Sequence, residues 1–418
     1  MSSTAILGCM WGDEAKAKIV DVLGANADIV VRFQGGSNAG HTIIIDNDKY
    51  ILHMVPSGIV NPKIICVIAP GVVLNPFEMI DEMQGLKERG VDFSNRLLID
   101  PRANLVLDLH KDLDCKSEQG TNGNKIGTTK RGIGPAYADA VARTGLKIYH
   151  LYDEVTLKSM LIQIYQSHDR NLTETELKEI VEELQVAAEY LKPYVKQTPY
   201  YLNEQIKAGK EIIFEGAQGS LLDITYGSYP YVTSSHTVSG GISIGCGVPP
   251  NKINKIIGVY KSYFTRVGEG PFPTELLDKT GDQIRTQGHE FGSTTGRPRR
   301  CGWFDAVASG YTAMLNGVDE MALTLLDVLT GVGDVKICTG YKYKDEIIKE
   351  FPAEVRILAE VEPVYEEMPG WEEDISSLTE FDALPQNAKN YIKRIEELLG
   401  IPATIISVGP DRKQTIFR

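Results

Sequence analysis

Long apolar runs are missing from this sequence of 418 residues. None approaches the roughly 20 residues that cross a bilayer as a helix, so a membrane-spanning protein is not expected. The opening Met1-Ser2-Ser3-Thr4 lacks a basic segment followed by an apolar core, which argues against export. Cysteine is sparse as well. Cys9, Cys66, Cys115, Cys246, Cys301 and Cys338 are widely separated and form no Cys-x-x-Cys pair, which argues against a structural zinc site and for unpaired thiols in a reducing compartment. Positive charge is in deficit: 43 Lys and Arg against 56 Asp and Glu give a formal net charge of −13. Non-specific nucleic-acid binding is therefore disfavoured, and any basic site must be local. No internal repeat, low-complexity tract or linker interrupts the chain. The expectation is a cytoplasmic protein with no membrane or nucleic-acid partner, long enough to bury a large core.

What is present alternates β and α signals. Ala5-Ile6-Leu7-Gly8 and Ile29–Phe33 read as strands, as does Ile64–Ala69, a continuous apolar run of the kind buried on both faces of a parallel sheet. Thr42–Ile45 and Tyr50–Val55 flank Asp46-Asn47-Asp48-Lys49 as a hairpin. Asn75 before Pro76 predicts a helix running to about Arg89, because the cap supplies an acceptor and proline suits the first helical position. Leu97–Ile99, Leu105–Leu107, Glu211–Phe214, Ile256–Tyr260, Ala322–Leu326, Val335–Cys338 and Thr404–Ser407 are further strands, and Ala388–Leu399 is a late helix. Residues 153–208 read as consecutive amphipathic helices, one opening with the capping-box pair Thr173 and Glu176. The predicted fold is α/β, with a large, mostly parallel central sheet, flanking helices and a helical insertion at 153–208 in a single domain spanning 1–418.

Two loops near the amino terminus carry the chemistry. Gly12-Asp13-Glu14-Ala15-Lys16-Ala17-Lys18 stands between a strand and the apolar helical pattern Ile19, Val20, Val22, Leu23, where backbone N–H groups and the helix dipole favour a phosphate. Lys16 and Lys18 add cations. Asp13 and Glu14 are unusual there, because carboxylates repel a polyphosphate unless they hold a divalent cation or take up a proton. The second loop, Gln34-Gly35-Gly36-Ser37-Asn38-Ala39-Gly40-His41-Thr42, places a histidine after glycines that allow close backbone approach. Either loop alone could be no more than a tight turn. Further along, Ile126–Pro135 combines hydroxyls, cations and glycines in a way that suits a monophosphate, and Phe291–Arg300 offers guanidinium forks for small carboxylates.

In order and spacing these segments resemble the adenylosuccinate synthetase family. Glu215–Asp223, Tyr229–Ser235, Thr265–Gly268, Met368–Trp371 and Gly409–Arg412 extend the resemblance over essentially the whole chain, from Leu7 to Arg412. It implies a magnesium-dependent ligase that joins IMP and L-aspartate at the expense of GTP. Asp13 would be the general base for the purine N1 proton and a Mg²⁺ ligand, with the Gly40 carbonyl as the second. His41 would be the acid at the γ-phosphate, with Gln218 also catalytic. Asn38, Thr129, Gln218, Thr233 and Arg297 would hold the monophosphate, and Arg143 would reach it from the other subunit of a homodimer. Thr295, Arg297 and Arg299 would bind the aspartate. Gly12, Glu14, Ala15, Lys16, Ala17, Gly40 and Thr42 would surround the GTP phosphates, and Asp327, Ser407 and Gly409 its guanine.

Three positions depart from the family pattern: Ala15 and Ala17 stand where it has glycines, and Leu325 where it has a lysine along guanine. An alanine forced to positive φ is strained by about 1–2 kcal/mol, whereas in a helix alanine is the better residue. The departures keep two other functions in view. One is a sister ligase with a guanine deoxynucleotide acceptor or ATP as donor, and the other is a non-catalytic nucleotide-binding homologue. Asp13, His41 and Arg297 argue against the latter, since an idle site needs no base, acid and carboxylate clamp together.

Overall fold

The computed structural model describes residues 3–45, 48–119, 125–292 and 296–418. Nine strands build the central sheet. They are β1 (Ser3–Gly8), β2 (Ile29–Arg32), β3 (Ile65–Ile68), β4 (Leu97–Ile99), β5 (Ile212–Glu215), β6 (Lys255–Lys261), β7 (Glu320–Thr324), β8 (Ala403–Ser407) and β9 (Thr415–Phe417). Their order is β9-β8-β7-β6-β1-β5-β2-β3-β4. Every neighbouring pair is parallel except β8 and β9. Residues on one strand alternate between two cores: Ile6, Val30, Cys66, Ile68 and Ile213 face one, and Ala5, Leu7, Ile29, Val31, Val67 and Phe214 face the other. Period-two burial on both faces is what makes these strands read as unbroken apolar runs.

Helices cover both faces. Helix α1 (Lys16–Gly24) follows β1 and packs Ile19 and Val20 into the first core. The helix Pro76–Glu88 opens as the sequence predicts, with the Asn75 side chain accepting from Phe77 N (3.1 Å) and Glu78 N (3.0 Å). Glu154–Ser167, Glu174–Leu191 and Thr198–Lys207 are helical, and the Thr173–Glu176 capping box is formed. Leu157, Leu161, Val181 and Leu184 join the same core as the sheet residues. The other half of the sheet buries Tyr260, Met321, Leu323 and Ile406 against Tyr391, Ile392 and Ile395 of the late helix Gln386–Leu399.

Some boundaries differ from the sequence reading. The strand expected over Ala322–Leu326 ends at Thr324, because Leu325 turns to left-handed φ 56°. Leu105–Leu107 shortens to Asn104–Leu105. Val335–Cys338 extends to Tyr343 and lies in a separate mixed sheet, antiparallel to Glu362–Met368 and parallel to Phe304–Asp305. The hairpin pairs His41–Ile45 with Asp48–Leu52, and Asp46 and Asn47 lie outside the described residues. No helix among the described residues is long and apolar enough to cross a membrane. Five of the six cysteines are buried, Cys115 partly so, and all six are free.

One buried carboxyl gives the fold a pH signature. Asp305 caps the helix Ala306–Asn316, its Oδ1 accepting from Val307 N and Ala308 N (both 3.0 Å) and its Oδ2 from the Tyr341 hydroxyl (2.6 Å). Burial pushes its pKa from 3.8 up to about 6. Between those values the folded protein holds a proton that the unfolded chain has released, so this contribution to stability is present at the acid end and is lost as pH rises through 6. Asp305→Asn keeps the cap acceptor and cannot ionise. Its denaturant midpoint relative to wild type should climb as pH rises across that window, and parallel midpoint curves would refute the shift.

Candidate active site

In a parallel sheet all carboxyl ends share one edge, and ligands bind there in open α/β proteins. Five strands end at that edge on a buried polar residue: β2 on Arg32, β5 on Glu215, β6 on Lys261, β7 on Thr324 and β8 on Ser407. A charge so placed is tolerated only with a partner. The partners come from the loops that the sequence singled out.

The loop after β1 is left-handed at Gly12 (φ 88°), Asp13 (φ 59°) and Ala15 (φ 61°). Helix α1 starts at Lys16, so its first-turn N–H groups face the loop. Glu14 is fully buried. Its Oε1 accepts from Met10 N (3.0 Å) and Gly12 N (2.8 Å), and its Oε2 from Lys16 Nζ (2.5 Å). The carboxylate that the sequence sets against a polyphosphate therefore braces the loop from inside. Lys18 leaves the loop altogether. Its ammonium donates to Ser407 Oγ (2.7 Å), Gly409 O (2.6 Å) and Gln414 O (2.9 Å), which uses all three of its donors. The loop's remaining donors are chiefly the backbone N–H groups at the start of α1, with Lys16 beside them.

Asp13 keeps a partly exposed side chain, and its Oδ2 stands 2.9 Å from Arg299 Nε. Arg299 also donates to Glu290 Oε2 (2.6 Å), and Glu290 Oε1 accepts from Lys261 Nζ (2.7 Å) and the Tyr263 hydroxyl (2.5 Å). Burial pushes the Asp13 carboxyl up, but Arg299, Lys261, Lys16 and His41 outweigh it and hold the pKa below the ordinary 3.8.

In the second loop Gln34 is locked to Ala217 by reciprocal bonds (2.8 and 3.3 Å), and Asn38 Oδ1 accepts from Gly36 N (3.3 Å) and Gln218 Nε2 (3.1 Å). A Cβ on Gly219 would collide with Met10 O, Glu14 Oε1 and Gly12 N, so the two glycine turns lie in contact. Gly40 leads into His41, which opens the hairpin, and Thr42 pairs with Ile51. His41 Nδ1 pairs with Glu215, whose carboxylate also accepts from Ser57 Oγ (2.6 Å) and Ser57 N (2.8 Å). Burial, with Arg32 adding, lowers the imidazole pKa below 6.5 against the pull of Glu215. A histidine oriented by a carboxylate on Nδ1 presents Nε2 to a ligand.

Asp13, His41, Asn38, Gln218 and Arg299 are thus linked within one cluster. Asp327 lies just after β7, Ser407 ends β8 and Gly409 follows it. Asp327 Oδ1 is buried with no hydrogen-bond partner among the described residues. Thr233 is half-buried and its N donates to Leu222 O (2.9 Å). Thr129, Arg143 and Arg297 are exposed on their loops, with Arg143 (φ 68°) capping the helix Ile133–Ala142. That helix docks on the second loop through the Tyr137 hydroxyl, 2.9 Å from Gly35 N. Thr295 lies outside the described residues. The sequence reading missed Glu215, Glu290 and Lys261. For Glu215 and Lys261 a signal existed, a charge ending an otherwise apolar strand; for Glu290 there was none.

The adenylosuccinate synthetase family model matches residues 5–416. The chain is 49% identical over 425 residues to the adenylosuccinate synthetase of Carboxydothermus hydrogenoformans, covering 100% of this chain and 99% of that one. It is 48% identical over 423 residues to that of Desulforamulus reducens, with the same coverage. The fully ligated adenylosuccinate synthetase from Plasmodium falciparum has a TM-score of 0.93 at 39% identity, over 99% of each chain. The cyanophage S-2L succinoaminodeoxyadenylate synthetase, bound to dGMP and dATP as an energy donor, shares the fold at a TM-score of 0.63 and 19% identity, over 100% of this chain and 95% of that one. Fold and relatives define a carbon–nitrogen ligase of purine biosynthesis. The chain belongs to the adenylosuccinate synthetase family.

The two loop alanines differ in consequence. Ala15 is left-handed, whereas Ala17 lies inside α1. Ala15→Gly should raise unfolding free energy by about 1 kcal/mol, and Ala17→Gly should lower it by about 1 kcal/mol. Urea denaturation of both variants reads the signs directly, and equal signs would contradict the backbone assigned here.

Proposed function

We propose that the chain joins IMP and L-aspartate to adenylosuccinate, using GTP and Mg²⁺ through a 6-phosphoryl-IMP intermediate. The observation that supports this most is the pair of unlike groups on separate loops: Asp13, ionised beside Arg299, and His41, steered by Glu215. Asp13 takes the N1 proton of IMP. The negative charge left on O6 attacks the γ-phosphorus of GTP, the bond to GDP breaks, and the aspartate amine then displaces phosphate from C6. His41 directs Nε2 at the transferring phosphoryl group, where donors aimed at developing charge are worth most. Asn38, Gln218, Thr129, Thr233 and Arg297 hold the monophosphate, Thr295, Arg297 and Arg299 the aspartate, and Gly12, Ala15, Lys16, Ala17, Gly40 and Thr42 line the triphosphate, with Glu14 contributing its backbone alone.

Asp13 and the Gly40 carbonyl fit magnesium, a hard cation that takes oxygen ligands and is often held by one or two protein groups plus substrate phosphates. When bound there it would neutralise phosphate charge. Guanine selection rests on Asp327. Its buried, unpartnered Oδ1 is an acceptor, which suits the N1–H and 2-amino donors of guanine and opposes the lone pair on adenine N1. The same reading makes the protein a cytoplasmic homodimer with Arg143 serving the neighbouring site, and one domain in which the helices of 153–208 are an insertion.

Two measurements test it. Asp13→Asn should lower kcat by at least about a hundredfold with the fold intact, in line with typical general-base contributions; near-normal turnover would remove Asp13 from the mechanism. Comparing kcat/KM for GTP and ATP with IMP and aspartate should favour GTP, and Asp327→Asn should narrow the preference. An ATP preference in the wild type would move the chain to the sister-ligase class.

A further inference from the structure

Lys18 sits in the phosphate-loop motif yet addresses no phosphate position. It lies in the first turn of α1 and is buried, and its ammonium is saturated by Ser407 Oγ, Gly409 O and Gln414 O. Those acceptors belong to the turn between β8 and β9, where Ser407 Oγ also donates to Gly409 O (3.0 Å) and Val408 N to Gln414 O (3.1 Å). The same helix grips the same turn a second time: Arg412 forms a fork on Asp21, Nε to Oδ2 at 3.0 Å and Nη2 to Oδ1 at 2.7 Å. Burial lowers the Lys18 pKa to about 8 against the opposing charges of Asp327 and Asp411, and Asp327 Oδ1 has no partner among the described residues.

We infer that Lys18 is a positioning residue for the base of the nucleoside triphosphate. It ties the first turn of α1, where the phosphates bind, to the Ser407–Gly409 turn. One rigid helix then fixes the distance between the two ends of the nucleotide, and the base-contacting turn cannot drift without breaking three charge-assisted bonds. Two carbonyls and a hydroxyl converging on one ammonium form a site that a neutral side chain cannot satisfy, so removing the charge frees the turn. The effect falls on nucleotide affinity and base choice, and the reacting centre at Asp13 and His41 is left in place. The inference rests on reading Asp327, Ser407 and Gly409 as the base end.

The test is steady-state kinetics of the full-length protein with GTP, ATP, IMP and aspartate varied in turn. Lys18→Met should raise KM for GTP about tenfold to a hundredfold, the range expected for lost bonds to a charged group. kcat and the KM values for IMP and aspartate should stay close to wild type, and the ratio of kcat/KM for GTP over ATP should fall. A phosphate-directed lysine gives the opposite split, a lost kcat with little change in base discrimination, and that result overturns the inference. Should Lys18→Met fail to fold, Asp21→Asn weakens the second grip of α1 on the same turn, the Arg412 fork, and leaves every residue assigned to the nucleotide in place; it should raise KM for GTP severalfold, and an unchanged KM there overturns the inference equally. If the wild type itself prefers ATP, guanine recognition by Asp327 fails, while the Lys18 variant still reports, through KM for ATP, whether the lysine serves the base end.

Discussion

Charge buried at the carboxyl edge of a parallel sheet must find a partner, and this molecule's site is organised by that requirement. Arg32 and Glu215 stand side by side at the ends of β2 and β5. Lys261 ends β6 with almost no exposure. Left alone, each would be destabilising by several kcal/mol. Glu215 is satisfied by His41 and Ser57, and Lys261 by Glu290, which in turn holds Arg299 against Asp13, while Arg32 lies beside Glu215 and donates to His53 O (3.4 Å). The pairing that makes the sheet edge tolerable also fixes where Asp13 and His41 stand. Stability and placement of the reactive groups are therefore one problem here.

The parts legible in the sequence were those set by local rules. β1, the phosphate loop and α1 follow from an apolar run, a glycine and a helical repeat, and Asn75 and Thr173 cap where their spacing says they should. The motif also located Asp13, His41 and Asn38 on adjoining turns. Side-chain direction was not legible. Glu14 and Lys18 read as facing a phosphate, yet one folds back onto Met10 and Gly12 and the other reaches Gly409, 391 residues away. Long-range pairs of that kind leave no periodicity. The alternatives at Ala15 and Ala17 could be posed from composition, but only the backbone decides that one is left-handed and the other helical.

Helix α1 joins the two halves of the site. Its amino end faces the loop of Gly12 and Asp13, and its first two turns hold the turn after β8 through Lys18 and Asp21. Thr324 adds a further tie, its hydroxyl donating to Glu14 O (3.0 Å) from the end of β7. Because β7 leads directly into Leu325 and Asp327, the loop after β1 and the Asp327 carboxylate share a single brace. Leu325 itself adopts φ 56°, a strained choice for a residue of its size, and its carbonyl accepts from the Ser262 hydroxyl (2.8 Å). The backbone course at this turn is thus held by neighbours on β6 and β7, which explains how a leucine can stand there without displacing Asp327.

The two groups assigned to the chemistry are biased in the same numerical direction with opposite effects. Lowering the pKa of Asp13 keeps it ionised and able to accept a proton; lowering that of His41 keeps the imidazole neutral. A neutral imidazole that gives its Nδ1 proton to Glu215 turns a lone pair toward a phosphate, which is unfavourable. A polyphosphate brought to the loop adds negative charge close to His41, and that charge acts with Glu215 and against burial and Arg32, favouring the imidazolium. In the proposed reaction the nucleotide would therefore complete its own acid. The base stands ready in its absence, so proton removal from the purine and activation of the phosphoryl group become coupled to the arrival of both substrates, which is what a ligase needs in order to avoid plain hydrolysis.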